Sequence, residues 1–185
     1  KLLLFSFLSI VIKAEIFDLS IPENDTASYT YADFRIWINE SNDTLRGIYW
    51  FMHPNNGDSR DIVTDTAYQN LAQGQNFAVL GARIFNMHMD TGIGDAVIAA
   101  MDSFAILSQH QELSFIPFFI NGYSWGGQFA YHFTKWKPER IVGFITQNYY
   151  HFCTPRLIGS LWLVLCNKTH GFHEIKIDSV PSLHC

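Results

Sequence analysis

The residues best placed to do chemistry are Gly122-Tyr123-Ser124-Trp125-Gly126, a G-x-S-x-G pattern. An apolar strand, Phe115 to Asn121, runs directly into it, and Phe129, Phe133 and Trp136 recur behind it at helical spacing. A sharp strand-to-helix turn pushes the central serine above the sheet edge and sets it at the positive end of a helix, where a hydroxyl can act as a nucleophile on a carbonyl. Gly122 and Gly126 are the residues that so tight a turn requires, because side chains there would strike neighbouring backbone. The competing account of the same five residues is that Ser124 merely caps the helix.

Such a serine needs a sheet beneath it, and the chain supplies one. Phe34, Ile36 and Ile38 alternate with Asp33, Arg35 and Trp37, as in a half-buried strand; Asn39 to Thr44 is polar, which predicts a hairpin to the next strand. Gly47 to Met52, Phe77 to Ile84, Phe115 to Asn121 and Ile141 to Thr146 are apolar runs expected of strands covered on both faces. Between them, Asp58 or Ser59 caps an expected helix with Val63, Ala67 and Leu71 inward and Gly74 as its stop. A second helix, Gly94 to Gln111, has an inward stripe of Val97, Met101, Phe104 and Leu107. Alternating strands and helices predict an α/β fold: a mostly parallel sheet with helices on both faces, opened by an antiparallel hairpin. After His151 the regularity weakens; Leu161 to Cys166 reads as one more strand, and Thr169 to Cys185 shows no clear period.

From Ala32 to Gln147 the chain resembles the α/β-hydrolase superfamily, most closely its secreted esterase and polyester-depolymerase-like branch. The resemblance implies a serine hydrolase that cleaves ester bonds through an acyl-enzyme intermediate on Ser124. It also implies an oxyanion hole made by two backbone N–H groups. One is that of Trp125, directly after the nucleophile. The other comes from the loop after Gly47–Met52, which reads His53-Pro54-Asn55 where the family carries His-Gly; proline has no N–H, so the donor expected is Asn55. His53 itself reads as a structural histidine bracing that loop.

The family order of serine, acid, histidine is poorly supplied. His132 falls inside the helix after Ser124, His151 comes too early, and His170 or His173 would serve only in a compressed arrangement, with His184 nearly at the end. The acids after Ser124 are Glu139, Glu174 and Asp178, and Asn167 stands where the family places its aspartate. The missing or degenerate final strands, with a first residue other than Met, predict a fragment or an altered C-terminal register. The organisation expected is a signal peptide over 1–14, a nucleophile-bearing core over 15–152 and a divergent segment over 153–185.

Composition narrows the partners. The chain has 185 residues, 48% of them hydrophobic and 16% charged, with a formal charge of −5 and no basic stripe, which excludes a disordered chain and a nucleic-acid binder. The apolar run Leu2 to Ile12 behind Lys1 predicts export, to the periplasm or outside the cell, with no stable membrane span once the leader is removed. Cys153, Cys166 and Cys185 are an odd number, so internal pairing cannot be complete, and with His170, His173 and His184 they match no regular zinc spacing. No metal and no cofactor are expected. Trp125, Tyr149, Tyr150, Met87 and Met89 suit either an apolar acyl or aryl ester, small or polymeric, or simple packing against one another. Two other classes stay open: a catalytically inactive homologue that binds a ligand or partner, and a flavodoxin-like binding module. The second needs a glycine-rich loop where His53-Pro54 stands.

Overall fold

A computed structural model describes residues 14–41, 43–147, 161–167 and 171–177. Among them, eight strands form one sheet in the order β1-β2-β4-β3-β5-β6-β7-β8. These are β1 (Ala14–Ser20), β2 (Tyr31–Asn39), β3 (Gly47–Met52), β4 (Phe77–Phe85), β5 (Phe118–Tyr123), β6 (Ile141–Gln147), β7 (Leu161–Asn167) and β8 (Gly171–Ile177). The four central strands β4, β3, β5 and β6 are parallel, and antiparallel pairs close both edges.

The opening hairpin lies elsewhere than the sequence predicts. β2 pairs with β1 and β4, not with β3. β3 has hardly a polar atom to show to water and takes the centre of the sheet between two parallel neighbours, while β2, with its alternating burial, takes a place nearer the edge. The strand over Gly171–Ile177 is a second departure; a stretch whose apolar residues are interrupted by His173, Glu174 and Lys176 carries little period of its own and gains its order by pairing with β7.

Among the described residues three α-helices cover the sheet: α1 (Thr66–Gln73), α2 (Ile93–Ser108) and α3 (Trp125–Trp136). Ile48, Trp50 and Met52 of β3 join Val97, Met101 and Phe104 of α2 and Phe129 and Phe133 of α3 in the larger core. The other face carries a smaller one, where Phe51 and Val79 meet Val63, Tyr68 and Ala72. The first helix is shorter than its spacing predicts. Arg60–Thr64 is a 3-10 turn, α1 starts after Asp65, whose carboxylate accepts from the Ala67 N–H at 2.8 Å, and Leu71 is 48% exposed. Neither expected cap acts as one. The Ser59 hydroxyl donates to the Phe51 carbonyl at 2.7 Å and accepts from the Ala82 N–H at 3.1 Å, tying the loop after β3 to β4, and Asp58 pairs with Arg60. In α2 the stripe holds for Val97, Met101 and Phe104, whereas Leu107 turns outward.

Candidate active site at the end of β5

Ser124 stands between the last residue of β5 and the first of α3, with φ 53° and ψ −116°. That is a backbone conformation a side chain rarely tolerates, and holding it costs about 1–3 kcal/mol. Two features hold it. The Ser124 N–H donates to the Gln147 carbonyl at 2.7 Å, which locks the turn to the end of β6, and its own carbonyl accepts from Gly127 and Gln128 in the first turn of α3. The glycines on either side allow the turn to close. A Cβ on Gly122 would lie 2.3 Å from the Gly126 carbonyl oxygen, and one on Gly126 would lie 2.5 Å from that of Met52. The Ser124 hydroxyl makes no capping hydrogen bond to α3, so the helix-cap account does not describe it. The side chain is half-buried at the positive end of a 12-residue helix.

The close approach of Gly126 to Met52 and His53 brings the loop after β3 against the first turn of α3. His53 is 3% exposed, and both of its ring nitrogens are engaged. Nδ1 donates to the Pro54 carbonyl at 2.6 Å, and Nε2 accepts from the Ile84 N–H at 2.9 Å. Only the neutral ring can make both bonds, and burial accordingly pushes its pKa below the usual 6.5. His53 is therefore a brace between the loop and β4. The Pro54 carbonyl also accepts from the Gly57 N–H at 3.0 Å, and Asn56 adopts φ 57°; these bonds shape the turn on which exposed Asn55 sits.

The other sequence candidates are spread out. His132 is half-buried on α3, seven residues beyond Trp125, with its pKa lowered by burial and by the charges of Lys135 and His88. Glu139 lies in the turn before β6, at the opposite end of the sheet, 3.7 Å from the Lys137 ammonium. β7 runs antiparallel to β6, so its last residue, Asn167, paired with Gly171, falls at that opposite end too, and His173 is two positions further along β8. Glu174 and Cys166 belong to these strands. Residues 1–13 of the expected leader, and His151, His170, His184, Asp178, Tyr149, Tyr150, Cys153 and Cys185, lie outside the described residues. Met87 is buried in the larger core and Met89 packs half-buried against it, the arrangement that simple packing predicts.

One neighbour of the site was not found by reading the sequence. The ring of His88, on the loop after β4, meets that of Trp125 edge-on at 5.5 Å between centroids. A single histidine in a polar loop carries no spacing signal, and only the packing of the 3-10 turn Met89–Thr91 on α3 brings it there. Among the described residues no helix is long and apolar enough to cross a membrane.

No family model matches the chain, and no curated protein does. Solved structures do. A dienelactone hydrolase from Anabaena variabilis superposes with a TM-score of 0.50 at 14% identity, over 74% of this chain and 64% of that one. Vibralactone cyclase gives 0.50 at 18%, over 78% and 45%, and a bacterial heroin esterase 0.50 at 15%, over 74% and 44%. The chain thus spans between 44% and 64% of the length of these structures. A parallel centre, a helix on one face and two on the other, and a serine turn at the end of β5 together give the chain the α/β-hydrolase fold.

Proposed function

We propose that the protein is a serine hydrolase that cleaves carboxylic esters through an acyl-enzyme intermediate. The observation that carries this reading is the backbone of Ser124, kept at φ 53° between β5 and α3 with its hydroxyl unused as a cap. The Ser124 Oγ attacks the ester carbonyl carbon, the hydroxyl proton leaves to a base, and the alkoxide departs with a proton as the acyl–oxygen bond to Ser124 forms; water then releases the acid. The backbone N–H groups of Trp125 and Asn55 are the donors proposed for the oxyanion, supported by the contact between the first turn of α3 and the loop after β3. The hydrolases and esterases among proteins of the same fold support the reaction class. Export, and a place in a secreted, polyester-depolymerase-like branch, belong to the same proposal and rest on the leader-like start and the motif.

A fluorophosphonate probe tests it. The expected result is a single adduct, located by mass spectrometry on Ser124 and absent from Ser124→Ala. A folded chain that takes up no probe overturns the reading and selects the inactive, ligand-binding homologue. One observation favours that second reading: Asn167, in the place of the family's acid, lies at the end of the sheet opposite Ser124.

A further inference from the structure

Asparagine in the pattern N-x-S/T is the acceptor to which a eukaryotic secretory pathway attaches an oligosaccharide. The chain carries four such triplets, Asn24-Asp25-Thr26, Asn39-Glu40-Ser41, Asn42-Asp43-Thr44 and Asn167-Lys168-Thr169, none with proline in the middle. So short a pattern arises by chance, and what decides whether an asparagine can keep a sugar is where the fold puts its side chain. Asn42 and the side chain of Asn167 lie outside the described residues. The other two are placed oppositely.

Asn24 opens an exposed turn between β1 and β2. Its Oδ1 accepts from the Thr26 N–H at 3.0 Å and from the Thr26 hydroxyl at 2.8 Å. The amide oxygen is thus held against the turn, and because the amide is planar its nitrogen points away from it. The loop is anchored on both sides. The Ala27 N–H donates to the Asn24 carbonyl at 2.9 Å, the Tyr29 hydroxyl to the Pro22 carbonyl at 2.7 Å, and the Ser28 N–H to the Thr91 carbonyl at 3.0 Å. Tyr29 is 1% exposed, so the core holds the base of the loop while Glu23, Asn24, Asp25 and Thr26 stay in water.

Asn39 has the same local bonds, its Oδ1 accepting from the Ser41 N–H at 3.1 Å and the Ser41 hydroxyl at 2.9 Å. Burial separates the two. Asn39 is the last residue of β2, paired with Ala14 of β1, and is 2% exposed. An oligosaccharide is bulky and strongly hydrated, so a chain carrying one at Asn39 could not bury that side chain as the fold requires.

We propose that Asn24 is an N-glycosylation site of the folded protein and that Asn39 is not. In the transfer, the Asn24 Nδ2 forms a bond to C1 of a sugar carried on a polyprenyl pyrophosphate; the C1–O bond to the pyrophosphate breaks, the lipid pyrophosphate leaves, and the amide nitrogen loses a proton. Transfer precedes packing, and the fold then acts as the filter. A sugar at Asn24 stays clear of the bonds that hold the loop, whereas one at Asn39 stops the end of β2 from packing. β2 begins beside the C-terminal end of β4, the end of the sheet that also carries Ser124, so the sugar stands on the same rim as the candidate site. The presence of the sugar depends on the export proposed above, while the choice between the two asparagines depends on burial alone.

Expression of the full chain in cultured mammalian cells tests it, once behind an initiator methionine alone and once behind an added cleavable leader. Mass spectrometry of peptides from the secreted chain, before and after peptide N-glycosidase, is expected to find Asn24 occupied and Asn39 bare. Asn24→Gln is expected to lose one glycan's step in gel mobility, and Thr26→Ala to lose the same step although Asn24 remains. Where a chain stays in the cell, occupancy of Asn24 is read in the microsomal fraction, so the result does not depend on a variant folding. A bare Asn24 behind the added leader, a mobility step that survives in Asn24→Gln, or a secreted chain with Asn39 occupied each overturns the site. If Asn24 is occupied only behind the added leader, the export reading falls and the site stands; if the chain leaves the cell on its own start with Asn24 bare, the reverse holds.

Discussion

At Ser124 and His53 the same part of the sheet edge uses two polar residues in opposite ways. Ser124 leaves its hydroxyl uncommitted to the helix and half-open to solvent, whereas His53 spends both ring nitrogens on backbone partners. The second arrangement has a pH consequence with a definite sign. Burial lowers the His53 pKa in the folded chain below 6.5, so the unfolded chain takes up a proton at a higher pH than the folded one. The stabilisation is complete above the unfolded pKa and is lost as the pH falls from 6.5 through the folded value. Urea unfolding is therefore expected to show lower stability at about pH 5.5 than at about pH 7.5. His132 is shifted in the same direction, so the measurement is repeated in His132→Gln. A decline that persists there is the one expected of His53, and a flat profile removes the neutral-brace account.

The strand–turn–helix from β5 to α3 is the element that sets the candidate site. Its geometry depends on two side chains being absent, since Gly122 lies against the backbone of Gly126 and Gly126 lies against that of Met52. Backbone cannot move aside as the tip of a flexible side chain can. Gly126→Ala is thus expected to lose about 1–3 kcal/mol of stability, read as a shift of the urea midpoint. It should also slow fluorophosphonate labelling of Ser124 at urea concentrations where the chain stays folded. Unchanged labelling would separate the turn from the reactivity of the serine. By contrast, α1 is held at its start by a single capping carboxylate, that of Asp65, and exposes Leu71 to water; it covers the sheet without shaping the site.

Across the whole molecule the burden of stability is uneven. The face under α2 and α3 holds the aromatic cluster of Trp50, Phe118, Phe129 and Phe133, with ring centroids 5.2–5.7 Å apart. The face under α1 is much thinner. Phe133→Ala is expected to cost about 3–5 kcal/mol, and Leu71→Ala less than about 0.5, in the same urea experiment. Comparable losses would contradict the division into a deep and a shallow layer. The end of the sheet away from Ser124 is pinned by polar bonds. The Arg140 guanidinium donates to the carbonyls of Leu113, Ser114 and Ile116, and a Glu112 oxygen accepts from the Leu45 N–H at 2.7 Å and from His110. The loops at the Ser124 end are thereby left as the surface on which recognition can vary.

Short-range information was enough for the central strands, the inward stripes of α2 and α3, and the serine turn, because apolar periodicity and steric demands for glycine act within a few residues. Ser124 and its two glycines were legible for that reason, and so was His53 as a brace. Strand neighbours were not. Residues 39–44 read as a hairpin because a polar gap between two apolar runs looks the same whether the next strand turns back or passes to another position; the placement of β2 beside β4 is decided by burial of β3 from both faces. The same limit hid His88, whose only relation to Trp125 is across space. It hid the direction of β7 as well, since the sequence placed Asn167 after a strand but could not say at which end of the sheet that strand finishes. The sequence by itself determined the serine turn and the layers that carry it. The tertiary structure alone decided which side chains stand around that turn, because packing between distant segments sets those distances.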